Sequence, residues 1–312
     1  MVTVTKVFEK PVTGLETFPK GIIIVNRNVI LVAETGSDLT PQMANKIGAY
    51  LVPMHVSMGG ETYDDGAFPP EDVCAYYDRT GKVPQTSAAN PGDFAPVFDE
   101  IHAKHPEAKI LHLAYSAVTT CSYQSAVIAA EDRDYVVSVD TKHVSVGQGV
   151  VVREVARVLE ENPGMTVEEA AAAAERIRDE VRMCFVPENL DYLRAGGRVS
   201  NAAALVGNLL MLHPCIEIID GRLMAQKKYR GNLDRVIGKV IAEFAEKENL
   251  RRDKVYLINT PGLSEARMRL AEEAAKKVGF ETVEWVKTGC VITSHGGKGA
   301  FGVVGLRETT KE

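Results

Sequence analysis

Hydroxyl side chains gather at three places in this chain: Glu34-Thr-Gly-Ser-Asp38, Thr86-Ser87 and Tyr115-Ser-Ala-Val-Thr-Thr-Cys-Ser122. Two glycine-rich stretches add donors of another kind. Gly196-Gly-Arg198-Val-Ser200 offers a guanidinium, and Ser294-His295-Gly-Gly offers an imidazole in a loop after an expected strand, Cys290 to Thr293. Neutral hydroxyls together with one cationic or tautomeric donor can restore the hydrogen bonds of a carboxylate taken out of water, with no metal needed. Taken singly, each of these hydroxyls reads first as a helix cap, Arg198 as a surface arginine and His295 as a loop histidine. Their clustering is what points to an anion-binding protein.

Other chemistries fit less well. Gly297-Lys-Gly-Ala-Phe-Gly302 satisfies Gly-x-Gly-x-x-Gly, but a dinucleotide site needs a following helix, a second strand and an acid ~20 residues on, and the sequence stops at Glu312. His102 and His105 lack a carboxylate ligand for zinc and read as a solvated helix end. Glu61-Thr-Tyr-Asp-Asp-Gly66 lacks the alternating ligands of a calcium loop and reads as an exposed turn. No Gly-x-Ser-x-Gly nucleophile elbow occurs.

The elements that must position these groups follow from patterning. Val29-Ile-Leu-Val-Ala, Leu51-Val-Pro-Met-His-Val, Ile110-Leu-His-Leu-Ala and Tyr135-Val-Val-Ser-Val alternate with helical patterns, which predicts a parallel sheet wrapped by helices. Helices start at Thr40-Pro41 and Asn90-Pro91, each a cap followed by proline at the first helical position. Ser116 follows the strand Ile110 to Ala114, and Thr119, Thr120 and Ser122 precede a helix from Tyr123, so these hydroxyls sit where an open parallel sheet binds ligands. A helix from Val146 closes at Asn162-Pro-Gly, a plausible domain border. Beyond the alanine-rich helix Val167 to Val181, Ile216-Glu-Ile-Ile, Asp220-Gly221 and Leu223-Met-Ala predict a hairpin. Helix Asn232 to Asn249, strand Lys254 to Asn259, helix Ser264 to Val278 and strand Thr282 to Val286 complete a mixed sheet.

A length of 312 residues suits two domains. The net charge of −6 argues against nucleic acid as partner. Five widely spaced cysteines without a Cys-x-x-Cys pair suggest neither a disulfide framework nor a zinc site, which favours the cytoplasm. No secretory signal or membrane helix is evident.

In this order, Val29-Ile-Leu-Val-Ala-Glu-Thr-Gly-Ser-Asp-Leu39, Gly59-Gly-Glu-Thr-Tyr63, Thr86-Ser87 before Pro91-Gly-Asp-Phe94, Tyr123-Gln-Ser-Ala126, Leu193-Arg-Ala-Gly-Gly-Arg-Val-Ser200 and Ser294-His-Gly-Gly-Lys-Gly-Ala300 resemble the DegV family of bacterial fatty-acid-binding proteins. The match runs from about Val29 to Gly305. The resemblance implies a long-chain fatty acid between two domains, its carboxylate near the interface and its tail in an apolar tunnel. It implies no cofactor and no metal. It also implies a separate fatty acid kinase that converts the bound carboxylate to an acyl-phosphate for phospholipid synthesis, with transient membrane contact during exchange. By that similarity the ligand contacts are Thr86, Ser87, Ser116, Thr120 and His295, with Arg198 at the head-group mouth.

The expected organisation is therefore α/β: an extension over 1–28, an N-terminal domain over 29–165 with a parallel sheet, and a C-terminal domain over 166–312 with a mixed sheet, the ligand between them. The chain is expected to be a carrier rather than an enzyme. The alternative is a stand-alone acyl or phosphoryl transferase with His295 as base and Arg198 as charge stabiliser; a nucleotide-binding regulator built on the Gly297 loop ranks last. Aliphatic segments such as Ala202-Ala-Ala-Leu-Val and Leu209-Leu-Met-Leu212 are expected along the tunnel. Three features depart from the family pattern. Ala33-Glu34-Thr35 stands for its Thr-Asp-Ser, Val118 and Cys121 replace glycines and Ala117 a serine, and Gly21-Ile-Ile-Ile-Val25 reads as an added edge strand. Without glycine φ angles the 116–122 loop is expected to run differently or to be strained.

Overall fold

The computed structural model of the protein describes residues 28–188, 190–200 and 212–309. The edge strand expected at 21–25, and the tunnel segments expected at 202–206 and 209–212 apart from Leu212, lie outside the described residues. The elements run β1 (Val29–Glu34), α1 (Pro41–Ile47), β2 (Ala49–Val52), β3 (His55–Met58), β4 (Glu61–Asp64), α2 (Glu71–Thr80), β5 (Gln85–Ser87), α3 (Pro91–Lys104), β6 (Lys109–Ala114), α4 (Ser122–Ala129), β7 (Val136–Asp140), α5 (Ser145–Glu161) and α6 (Val167–Glu180). They continue β8 (Val181–Val186), α7 (Leu190–Gly196), β9 (Leu212–Ile219), β10 (Arg222–Arg230), α8 (Leu233–Lys247), β11 (Lys254–Asn259), α9 (Glu265–Val278), β12 (Thr282–Lys287), α10 (Cys290–Gly296) and β13 (Phe301–Leu306).

The first half forms a four-stranded parallel sheet in the order β2-β1-β6-β7. The second forms a mixed six-stranded sheet, β10-β9-β8-β13-β11-β12, in which only β11 and β12 pair in parallel. The α/β architecture with a parallel N-terminal and a mixed C-terminal sheet is the one expected. The predicted caps are in place: Thr40 and Asn90 accept from the first turns of α1 and α3, with Pro41 and Pro91 inside. Asp220 and Gly221 both take positive φ, 47° and 77°, in the β9–β10 turn, as a tight hairpin requires.

The Leu51–Val56 run differs from expectation. Pro53 and Met54 separate β2 from β3, and β3 joins β4 and β5 in a small antiparallel sheet of its own. Proline has no N–H for a sheet ladder, and the Met54 amide is drawn instead to Thr35 Oγ1 at 3.0 Å.

The layers are set by which faces are apolar. α3 and α4 bury Phe94, Phe98, Ile101 and Ala126 against the outer face of the parallel sheet. α8 and α9 bury Val236, Val240, Phe244 and Ala271 against the outer face of the mixed sheet. α5 lies between the sheets, touching β1, β6 and β8, and most of its residues are buried. That central position requires Gly149, where an added Cβ would come within 2.5 Å of the Ser37 carbonyl oxygen. α6 packs on α5, β6 and β7.

Candidate functional site

The site is organised around α10, which enters at the junction of the two halves. Its Cys-Val-Ile-Thr start is β-branched and reads as a strand, yet 290–293 is helical, which corrects the expected strand. The reason is tertiary. The Gly289 amide donates to Asp38 Oδ1 at 2.7 Å, and the Cys290 and Val291 amides donate to Asp65 Oδ1 at 2.8 and 3.3 Å. Two carboxylates from the first half thus satisfy the open amides of the helix start. The expected exposed turn over 61–66 is corrected by the same contacts: Glu61–Asp64 is β4 and Asp65 is buried.

Ser145 Oγ donates to Asp38 Oδ2 at 2.5 Å. Burial pushes the Asp38 carboxyl up to about 8, against the bonds from Ser145 and Gly289 and with the Asp65 charge adding to the rise. The Asp65 carboxyl is also raised, again chiefly by burial.

One turn along α10, His295 Nε2 lies 2.8 Å from Thr86 Oγ1 on β5. This hydrogen bond spans the two halves of the chain. The ring is backed by Gly196 at the end of α7, where an added Cβ would come within 2.3 Å of Nδ1. Burial, with the Arg198 charge as a smaller cause, lowers the imidazole to about 4, so it is neutral at pH 7.

The hydroxyl loop after β6 is held by Glu34, which is fully buried. Its carboxylate accepts from the Tyr115 amide at 3.0 Å, from Ser122 Oγ at 2.6 Å and from Gln148 Nε2 at 2.7 Å. Burial alone would raise this carboxyl, but His112, 3.4 Å away, and the Ser122 and Tyr115 donors hold it below the ordinary value. Glu34 therefore ties both ends of the 115–122 loop to β1. Neither Val118 nor Cys121 takes positive φ, so the backbone strain expected at these two positions does not arise.

Between the sheets lies a partly open cavity with about 810 Å³ of empty space, its open mouth and the adjoining solvent included. Its apolar wall includes Met54, Tyr115, Val144, Met183, Phe185, Leu223, Ile258, Val291 and Ile292. Phe185 and Ile258 flank Gly302 on adjacent strands. An added Cβ at Gly302 would meet Ile258 Cδ1 at 3.0 Å, so this glycine keeps the sheet face low between them.

Of the residues expected to bind ligand, Thr86, Ser87, Thr120, Arg198 and His295 all line this cavity. Ser87 and Arg198 are exposed and lie at its mouth. Ser116 does not line it: the side chain is fully buried and donates to the Gly221 carbonyl at 2.8 Å, fastening the loop to the β9–β10 turn. Ser145, Thr260 and Thr288 also line the cavity without having been singled out. Thr260 and Thr288 directly follow β11 and β12, a strand-end position like that of Ser116 after β6.

The glycines of the 297–302 motif have structural roles. Gly297 at φ 75° faces the Tyr192 ring, Gly299 at φ 77° faces the Glu188 carboxylate, and Gly302 lies in the β13 ladder.

The fold and site define an α/β protein that encloses an apolar cavity between two sheets and lines it with hydroxyls, one neutral imidazole and one guanidinium. The sequence matches the model of the DegV family, whose description marks it as uncharacterised, over residues 28–308, and the chain belongs to that family. A DegV domain-containing protein of Deinococcus radiodurans is 30% identical over 285 residues, 88% of this chain and 97% of its own. A fatty acid-binding protein of Thermotoga maritima is 28% identical over 284 residues, 88% of this chain and 96% of its own. A solved DegV family protein from Thermus thermophilus, described for its fatty acid binding, superposes with a TM-score of 0.80 at 29% identity, covering 90% of this chain and 99% of its own. Among the described residues no helix is long and apolar enough to cross a membrane.

Proposed function

We propose that the protein binds a long-chain fatty acid between its two sheets and presents the carboxylate to a fatty acid kinase in the cytoplasm. The observation that carries this reading is the Thr86–His295 hydrogen bond inside an otherwise largely apolar cavity. With the hydrogen on Nε2, the imidazole donates to Thr86 Oγ1 and leaves the threonine hydroxyl hydrogen free for a carboxylate. Ser87, Thr120 and Arg198 supply further donors from the cavity wall. The tail contributes most of the affinity, at ~0.8 kcal/mol per methylene removed from water.

The transferase alternative asks His295 to act as a general base. An imidazole lowered to about 4 is a weak base at neutral pH, and the same neutrality suits a hydrogen-bond donor in an apolar site. The kinase step is supported by exposure of Ser87 and Arg198 at the cavity mouth, where a second protein can reach the head group.

The test is to purify the protein from cells, record its native mass, and identify by mass spectrometry what denaturation releases. One equivalent of a fatty acid, converted to acyl-phosphate only when a fatty acid kinase and ATP are added, is expected. An empty protein that also takes up no added fatty acid refutes the reading, and turnover of an acyl-phosphate by the isolated chain would favour the transferase.

A further inference from the structure

Among the described residues, three stretches of chain cross a wall that bounds the cavity on one side. Lys142 and His143 line a separate charged groove, whereas the next two residues, Val144 and Ser145, line the cavity. Arg182 faces the groove and Gly221 does too, while Phe185 and Leu223, further along the same segments, face the cavity. Among the described residues Met183 alone lines both spaces.

The backbone part of this wall is fastened. Ser116 Oγ donates to the Gly221 carbonyl at 2.8 Å, and His143 Nε2 donates to the Arg178 carbonyl at 3.0 Å. The Met183 side chain is 3% exposed. Its sulfur rests against α5 at Gly147, where an added Cβ would lie 3.1 Å from Sδ. Behind it the groove carries Arg178, Arg182, Lys247 and Arg307 with Glu217 and Glu248, charged surroundings that would exclude a methyl-ended chain.

Strand register places Met183 away from the polar donors on α10. Gly296 and Ala300 line the cavity beside His295, and Phe301, next in the chain, pairs with Val186. Met183 pairs with Val304, three residues further along β13, or roughly 10 Å at the usual rise of a strand.

We infer that Met183 is the end-stop of the cavity and sets the longest acyl chain the protein accepts, an inference that rests on the fatty-acid reading above. The methionine is suited to the role because its unbranched thioether is the adaptable element in a wall whose backbone is tied down.

The experiment compares wild-type protein with Met183→Ala and Met183→Phe. Each is titrated with saturated fatty acids of increasing length, and the acids carried from the cell are identified by mass spectrometry. Truncation to alanine removes three heavy atoms from the wall, so the preferred acid should lengthen by about three carbons, each buried methylene changing affinity roughly 4-fold. Phenylalanine should shorten it. An unchanged length profile in both variants overturns the inference while leaving fatty-acid binding intact. Should the alanine variant fail to fold, the milder Met183→Val carries the same expected direction and the same refutation. A wild-type protein that takes up no acid of any length overturns the fatty-acid reading itself, and the end-stop with it.

Discussion

Replacing Thr86 by valine keeps the shape of the side chain and removes only its hydroxyl. In the structure that hydroxyl lies 2.8 Å from His295 Nε2 and lines the cavity. In the proposed complex it accepts from the imidazole and donates to the carboxylate, so the variant loses one hydrogen bond to a charged group. Such bonds are worth ~1.5–3 kcal/mol, which corresponds to a dissociation constant weaker by roughly 10- to 150-fold. Calorimetric titration with a long-chain fatty acid measures the change, and thermal unfolding of the ligand-free protein checks the fold. His295→Ala should weaken binding to a similar extent, and the double variant by less than the sum, because both residues serve one relay. Additive losses would refute the relay, and unchanged binding in Thr86→Val would refute the placement of the carboxylate.

Ser116→Ala should behave differently from the other hydroxyl variants. It breaks the tie to Gly221 and should cost about 1–3 kcal/mol of stability in denaturant unfolding, with little direct effect on binding; a binding loss as large as that of Thr86→Val would place Ser116 in the site after all. Gly196→Ala puts a methyl group 2.3 Å from His295 Nδ1, so it should lower stability by about 1–3 kcal/mol and weaken fatty-acid binding by displacing the ring; retention of both would show that α7 yields freely. His143 is buried and neutral, its imidazole lowered by burial from 6.5 to about 4. The unfolded chain therefore binds the extra proton first, and this contribution to stability is lost as pH falls from about 6.5 to 4. His143→Gln, which can still donate to Arg178, should remove on the order of 3 kcal/mol of that acid dependence. The difference between variant and wild-type unfolding curves isolates the effect from Asp38, whose raised carboxyl works in the opposite direction, and parallel curves would show that His143 does not titrate this way.

Much of the architecture was legible because it depends on local patterns. Alternation of β-branched runs with capped helices identified the parallel sheet, and Asp220-Gly221 identified the hairpin, because few residues take positive φ at both turn positions. The ordered motifs marked Thr86, Ser87, Arg198 and His295, and the hydroxyl-rich loop marked Thr120, all of which the fold brings to one cavity.

What depended on distant contacts was not legible. Cys290-Val-Ile-Thr has the composition of a strand and becomes a helix because Asp38 and Asp65, more than two hundred residues earlier, cap its amides. Ser116 has the loop position of a ligand donor, yet the β9–β10 turn captures its hydroxyl. Local propensity and turn chemistry act over a few residues, so the sequence by itself determined most of the elements, the α/β layering and the stock of polar groups. Which group faces the cavity, which is spent on holding the two halves together, and that Met183 stands at the end wall were decided only by tertiary packing, because each depends on atoms that the chain brings together from far apart.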